Sequence, residues 1–320
     1  MFTSAMISVS APGKLILCGE HAVVYGRPAI AAPLSDVRAY ARIEPGSPGS
    51  GLRFIAPDLG ETWTAAGQPE HPLSELALAA LARLGQRETD LIVQLRSDIP
   101  IASGMGSGAA IGTALVRALA THAGVELAPE EVAALVYASE RRFHGTPSGI
   151  DNTVVAHERA IWFERREPAP LIETLTIAAP LLLVVGDTGV RSATRLPVGA
   201  VREGWRADPR RYEALFDQVG ELVTRARAAL ATGDLPLLGA LLDANQALLE
   251  QIGVSSPDLE RLVAAARAAG ALGAKLSGAG WGGVMLALVT PAARPAVESA
   301  LREAGAARVL AATVPATAGA

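Results

Sequence analysis

The chain has one cysteine, two lysines and few aromatic residues (5 Phe, 4 Trp and 4 Tyr in 320 residues). A lone Cys18 excludes an intramolecular disulfide framework and a cysteine-built metal site, and it suits a reducing, cytoplasmic setting. The few aromatics offer no row of stacking platforms for bases, and a net charge of −4 leaves no basic footprint. The reading is therefore of no nucleic-acid partner and no anionic membrane surface. No apolar run approaches the roughly 18 residues that a membrane-spanning helix needs. The opening MFTSAMISVSAPGK lacks a charged segment followed by an apolar core, so no signal peptide is expected.

What is there is a hydrophobic chain. Half of its residues are apolar and 19% are charged, which is ample for a large core and fits two domains better than one. The boundary is expected near 170–190, giving domains at 1–180 and 181–320. Of the 28 basic side chains only Lys14 and Lys275 are lysine. Where arginine serves as the general cation, a retained lysine marks a place that needs a compact ammonium. Both lie beside glycine-rich runs.

Periodicity predicts the elements. Residues 7–18 read as two strands broken at Pro12-Gly13. Strands are also expected at 29–33, 37–43, 91–95, 160–163, 181–185, 284–289 and 307–314. Helices are expected at 72–84, from Ala109 to a stop at Gly124, from Pro129 to Gly145, and at 209–231, 236–252, 257–269 and 291–304. The tail 315–320 reads as frayed.

The most informative stretch is SDIPIASGMGSGAAIG, residues 97–112. Asp98–Pro100 ends a strand, because a residue before proline is pushed out of the helical region. Gly104, Gly106 and Gly108 then precede a helix whose apolar stripe is Ile111, Leu115 and Leu119. A glycine-rich turn feeding a helix N-terminus presents unpaired N–H groups to an anion, a phosphate cradle; the plainer reading is a flexible turn before an alanine-rich helix. A second glycine run, Lys275–Gly283, matches G-x-G-x-x-G. The dinucleotide fingerprint needs a strand before the glycines and a helix after them. Here a helix is expected before and the strand VMLALV follows, so that reading is rejected. No Gly-Lys-Ser/Thr makes a Walker A loop, and no G-x-S-x-G makes a serine nucleophile elbow.

Two carboxylates sit where chemistry could use them. Glu140 falls on the apolar stripe of its helix, four residues after Val136, and needs an arginine partner or a metal. Asp151 leaves the turn TPSGI and could cap the helix after it or face a substrate. Phosphoryl transfer needs a phosphate cradle, a carboxylate or hydroxyl on Mg²⁺, a cation on the phosphates and a group near the acceptor hydroxyl. Ser103–Gly108, Glu140, Lys14 and Asp151 supply one candidate for each.

These residues also carry a resemblance. Ser10–Lys14 (SAPGK) followed by Gly19–Gly26 (GEHAVVYG) resembles the first motif of the GHMP kinases, in the version of the mevalonate kinase branch. Residues 100–110 resemble the ATP loop of that family, and 144–152 (HGTPSGIDN) the segment with its catalytic aspartate. Asp187-Thr188 and Ala193–Arg195 resemble a segment lining the acceptor site, and 275–283 the third motif. The resemblance implies an α+β, two-domain fold: an N-terminal domain like ribosomal protein S5 domain 2, a C-terminal ferredoxin-like domain, and the site between them. It implies transfer of phosphate from ATP, with Mg²⁺, to the C5 hydroxyl of (R)-mevalonate, by a cytoplasmic homodimer.

Residue by residue, the resemblance makes Asp151 the base or orienting group and Lys14 the cation that lowers the hydroxyl pKa. Pro100, Ala102, Ser103, Gly104, Met105, Gly106, Ser107, Gly108 and Ala109 wrap the nucleotide. Glu140 and Ser107 hold the metal. Glu20, His21, Thr194, Ser277, Gly278, Ala279 and Gly280 line the acceptor side. One departure is visible: the family's Gly-Leu-Gly-Ser-Ser-Ala reads Gly104-Met-Gly-Ser107-Gly108-Ala here, so the second hydroxyl is missing. Alternatives are a sister kinase acting on phosphomevalonate, homoserine or a sugar, and a non-catalytic sensor on the same fold.

Overall fold

The computed structural model describes residues 6–86, 90–100, 103–144, 148–191 and 194–317. Contacts gather into two compact units, each assembled from separate stretches. Unit 1 comprises 1–13, 37–101 and 106–158; unit 2 comprises 14–36, 102–105 and 159–320.

The chain opens with two long strands, β1 (Ile7–Cys18) and β2 (Ala29–Pro45), which run from one unit's stretches into the other's. The expected break at Pro12-Gly13 does not occur. β1 pairs with β2, and a strand with one side unpaired tolerates a residue that has no N–H. Unit 1 continues with β3 (Leu52–Ala56), β4 (Glu61–Thr64), α1 (Pro72–Arg83), β5 (Leu91–Ser97), α2 (Ser107–Ala123), α3 (Pro129–His144) and α4 (Ile150–His157). β5 lies antiparallel to β2 from Ala39↔Ser97 to Pro45↔Leu91, and parallel to β3 from Leu52↔Leu91. Its Leu91, Val93 and Leu95 are buried and the residues between them are half-buried, as alternation requires.

α2 is the buried element of unit 1. Leu115 and Leu119 from the predicted stripe are fully buried, and alanines fill most of its other faces. Gly112 sets the helix spacing. A Cβ there would lie 3.0 Å from Leu76 of α1 and 3.4 Å from Val136 of α3, so a glycine permits the close approach. The helix stops at Gly124, in left-handed conformation, as expected.

Unit 2 adds β6 (Ile161–Glu164) and β7 (Leu171–Thr174), with β6 pairing to the first residues of β2 from Ala29↔Phe163. Then follow β8 (Leu181–Asp187), α5 (Arg195–Ala207), α6 (Pro209–Thr232), α7 (Leu235–Ile252), α8 (Pro257–Ala268), β9 (Gly273–Ser277), β10 (Val284–Val289), α9 (Arg294–Glu303) and β11 (Arg308–Val314). A second sheet has the order β11-β8-β10-β9, antiparallel throughout. Every residue of β10 is buried, which explains the unbroken apolar run VMLALV.

Three contiguous helices match their predicted spans closely because each carries its own start signal. Asp208, Asp234 and Ser256 cap α6, α7 and α8 by accepting from Arg211, Leu237 and Leu259 N–H, with proline in the first turn of each. α8 is the helix expected before the second glycine run, but a short strand that was not expected, β9, stands between it and the glycines. The β9 sequence GAKLS has neither alternation nor β-branched residues. The tail is also not loose throughout: Thr317 exchanges backbone and hydroxyl bonds with Ile177.

The candidate active site

The glycine loop is built for close backbone approach. Ser103 and Met105 are buried, whereas Gly104 (φ 84°) and Gly106 (φ 73°) adopt left-handed conformations that side chains rarely tolerate. Gly106 is the N-cap of α2, so the helix starts at Ser107, two residues earlier than periodicity indicates. Ala110 N–H reaches back to the Gly106 carbonyl at 2.9 Å, closing the first turn. The N–H groups before it have no intrahelical acceptor by helix geometry, and the dipole adds partial positive charge there. Pro100 is half-buried just after β5; Ala102 lies outside the described residues.

Within unit 2 the loop meets the first motif. The Lys14 N–H donates to the Met105 carbonyl at 2.9 Å, and Lys14 is 3% exposed. β1 then ends at a turn that only glycine can make. Gly19 has φ 104°, and a Cβ on it would lie 2.5 Å from Ala29 Cα. The turn sends Glu20 and His21 into the interior, where they are 1% and 6% exposed. His21 itself has φ 60°, a strained value for a non-glycine residue. Its Nε2–H donates to the Ala279 carbonyl at 2.9 Å, which fixes the tautomer. Burial pushes the imidazole pKa down to about 4; the Ala279 bond opposes this and the Lys275 charge adds to it, so His21 is neutral at physiological pH.

The third motif closes the same region. β9 and β10 form a hairpin around glycines 278–283, with Ser277 opposite Val284. The Ser277 hydroxyl donates to the Ile16 carbonyl and accepts from the Ile16 N–H, both at 3.0 Å, stitching β9 to β1. Lys275 ion-pairs with Glu20 and donates to the Leu276 carbonyl at 2.5 Å. Burial pushes the Glu20 carboxyl up, and the ammonium beside it works against that rise. A Cβ on Gly283 would lie 2.9 Å from the Ser103 carbonyl, and one on Gly280 would lie 2.0 Å from the Val254 carbonyl. These glycines let three backbone segments touch.

Helix α7 holds β9 from outside. Asp243 Oδ1 accepts from Ala274 N–H at 2.8 Å, and Gln246 Oε1 accepts from Leu276 N–H at 2.9 Å. Asn245 Oδ1 accepts from Gly19 N–H at 3.4 Å. Gly239 and Gly273 permit the contact, since a Cβ on Gly273 would stand 2.0 Å from the Gly239 carbonyl. With Ala274 and Leu276 clamped, Ser277 reaches β1 at Ile16 and Lys275 reaches Glu20 in the turn that follows it. Asp243, Asn245 and Gln246 are site-supporting residues that the sequence reading passes over. Their only signal is a polar run interrupting the leucine-rich face LLDANQALL.

The remaining predicted residues in unit 1 are half-buried: Ser107 in the first turn of α2, Glu140 late in α3, and Asp151. Gly108 and Thr194 are exposed and Ala109 is buried. Asp151 is not a helix cap. Gly149, with φ 88°, is the cap of α4, and Asp151 is the second residue of the helix. Asn152, next to it, is buried and bonds the Ala133 carbonyl of α3 at 3.0 Å, fixing how α4 is turned. Thr194 stands at the start of α5, and Gly278 and Ala279 are half-buried in the hairpin turn. Asp187, from the segment read as acceptor-lining, is buried and held by both Arg191 nitrogens at 2.9 and 3.0 Å.

This architecture has close relatives. The family model described as the GHMP kinases N terminal domain matches residues 73–158, and that of the GHMP kinases C terminal matches 226–307. The mevalonate kinase of Thermococcus sibiricus is 37% identical, covering 93% of each chain, and that of Pyrococcus horikoshii is 35% identical over the same shares. Among solved structures, the mevalonate kinase of L. major in complex with R-mevalonate superposes with a TM-score of 0.85 at 32% identity, covering 98% of this chain and 97% of that one. The phosphomevalonate kinase of Streptococcus pneumoniae, in complex with phosphomevalonate and AMPPNP, shares the fold at a TM-score of 0.81 and 18% identity, covering 95% and 99%. With both halves of the family model matched and curated relatives aligned along nearly its whole length, the chain belongs to the mevalonate kinase family of GHMP kinases.

Proposed function

We propose that this protein is an ATP-dependent kinase that transfers the γ-phosphoryl group of ATP to the C5 hydroxyl of (R)-mevalonate, giving ADP and 5-phosphomevalonate. The observation that carries the reading is the packing within unit 2 of the Lys14–His21 segment, the Ser103–Met105 loop and the Lys275–Gly283 hairpin. Relatives named for that activity align over 93% of the chain. Phosphoryl transfer depends mostly on positioning and on charge stabilisation, and a rigid, dry backbone frame suits both.

In this reading Pro100, Ala102 and the loop Ser103–Ala109 bind the nucleotide phosphates through backbone N–H groups, and Lys14 places a compact positive charge on the transferred group. Asp151 orients the acceptor hydroxyl and takes its proton. Glu20, His21, Thr194 and Ser277–Gly280 bind the acceptor. A neutral His21 serves there as a hydrogen-bonding group, not a charge. Glu140 and Ser107 offer hard oxygen donors that fit Mg²⁺, which takes few protein ligands and keeps waters and phosphates in its shell. Bound there, Mg²⁺ supplies neutralisation of charge on the phosphate oxygens. Gly108 gives no hydroxyl, and a Cβ at that position meets nothing within 4 Å, so the missing ligand reflects the residue and not a lack of room.

The domain division at 1–180 and 181–320 is part of the proposal, supported by family matches on either side of it. So is a cytoplasmic homodimer, which analytical ultracentrifugation would test. No described helix is long and apolar enough to cross a membrane. The deciding experiment is a coupled ADP-release assay with mevalonate, 5-phosphomevalonate, homoserine and galactose as acceptors. Mevalonate is expected to give the highest kcat/KM. Preference for another acceptor would reassign the chain to a sister activity, and no ADP release with any would favour a sensor.

A further inference from the structure

Lys275 is the most deeply buried cation described in the chain, at 0% exposure, and the chemistry above assigns it nothing. It is one of only two lysines, and it sits where an arginine could not. Its ammonium donates to Glu20 Oε1 and to the Leu276 carbonyl. An ammonium has three donors to satisfy, whereas a guanidinium brings five in a rigid plane, too many for the acceptors present. The ammonium is also fixed from behind. Lys275 faces Leu286 across the hairpin, and its neighbours Ala274 and Leu276 are gripped by Asp243 and Gln246.

What this fixed charge holds is the turn carrying Glu20 and His21. Glu20 is 1% exposed, and its second oxygen, Oε2, has no hydrogen-bond partner among the described residues. A buried carboxylate with one anchored oxygen and one unpartnered oxygen is costly unless something polar completes it. We propose that Lys275 is a positioning residue for acceptor binding: by anchoring Glu20 through Oε1 it keeps that carboxylate ionised and its Oε2 presented as a fixed acceptor, and it holds the adjacent His21 ring on the Ala279 carbonyl. This rests on the phosphotransferase reading, but the anchoring itself can be measured without turnover.

The charged groups acting on Glu20 are Lys275 from β9 and Lys14 from β1, and Glu20 in turn acts on Cys18 at the end of β1. Cys18 is held protonated, its thiol pushed up to about 12 by burial and the Glu20 charge, and His21 is held neutral. Burial is the largest influence on Glu20 and Lys275 opposes it, so removing the ammonium pushes the carboxyl further up.

The test compares the wild type with Lys275→Met, Lys275→Arg and the double variant Glu20→Gln/Lys275→Met. Steady-state kinetics are measured from pH 6 to 9, with isotope-edited infrared spectroscopy of the Glu20 carboxyl. In Lys275→Met the acceptor KM is expected to rise about ten-fold or more while the ATP KM stays within about two-fold. Its kcat/KM for the acceptor should gain a rise with pH that the wild type lacks, and the infrared band should move from carboxylate to protonated acid. Lys275→Arg should not restore the acceptor KM. If Lys275→Met fails to fold, the double variant removes both charges together and should fold, and its acceptor KM should remain raised with no new pH dependence. An ionised Glu20 in Lys275→Met, or an acceptor KM at the wild-type value in the double variant, overturns the proposal. A wild type inert towards all four acceptors overturns the functional reading alone; the infrared comparison then still decides the anchoring.

Discussion

The residues assigned to the site divide into two kinds of support. In unit 1, Ser107, Glu140 and Asp151 are half-buried side chains on helices whose stability comes from elsewhere: alanine and leucine packing around α2, and the Asn152 bond to α3. In unit 2, Lys14, Glu20, His21 and Ser277 are 1–6% exposed, and they are themselves the interior. The first arrangement separates chemistry from folding. The second makes them the same thing, because a buried charge or imidazole that loses its partner destabilises the protein whether or not it touches a substrate.

The sharpest way to break that contrast is Asp151→Asn. It should lower kcat by roughly 10²–10⁴ while ATP binding and the melting temperature stay near wild type. Calorimetric titration with a non-hydrolysable ATP analogue, beside the coupled assay, checks both halves; full activity would remove Asp151 from its assigned role. Next in size is Glu20→Leu, which strands the Lys275 ammonium and should cost about 3–5 kcal/mol in denaturant unfolding. Glu20→Leu/Lys275→Met should recover most of that loss. A small effect of the single substitution would show that the region is wetter than its burial indicates.

His21 gives a pH-dependent version of the same contrast. Its folded pKa of about 4 lies below the usual 6.5, so the unfolded chain binds the proton more readily. The stability linked to the neutral ring is fully present above about pH 6.5 and is lost as pH falls towards 4. His21→Gln should flatten that part of the stability profile, changing the difference between pH 7 and pH 4 by roughly 3 kcal/mol. The smallest effect is expected in unit 1. Gly108→Ser enters open space, should alter stability by less than about 1 kcal/mol, and should lower the Mg²⁺ concentration for half-maximal rate. An unchanged Mg²⁺ requirement would mean that the hydroxyl adds nothing as a ligand.

The two regions also differed in how much of them could be read in advance. Helices α6, α7 and α8 are legible because capping residues, prolines and leucine periodicity all act within one segment. The glycine loop and its helix are legible for the same reason. The strands β3, β4 and β7, and the helix α5, are not. The strands are four or five residues long, and their identity comes from partners distant in sequence. β9 shows the limit most clearly. GAKLS is a strand because α7 supplies acceptors and β10 supplies a ladder, neither of which its own residues reveal. For the site, the scarcity of lysine drew attention to Lys14 and Lys275, the apolar stripe of α3 singled out Glu140, and the turn before it singled out Asp151. The pairing of Lys275 with Glu20, 255 positions apart, is a property of the fold.

The clamp on β9 has a further consequence for the edges of the second sheet. β9 and β11 are the outer strands of their sheet, and an open strand edge is a template for pairing with another chain. Here Asp243 and Gln246 occupy N–H groups along β9, and Asp36 accepts from Thr313 N–H on β11 at 3.1 Å. Side-chain oxygens stand where a neighbouring backbone would dock. The Asp243 carboxylate and Gln246 amide that aim Lys275 and Ser277 thus also join Asp36 in keeping that sheet from growing, so another chain meeting it would find side-chain surfaces to bind, not a strand to extend.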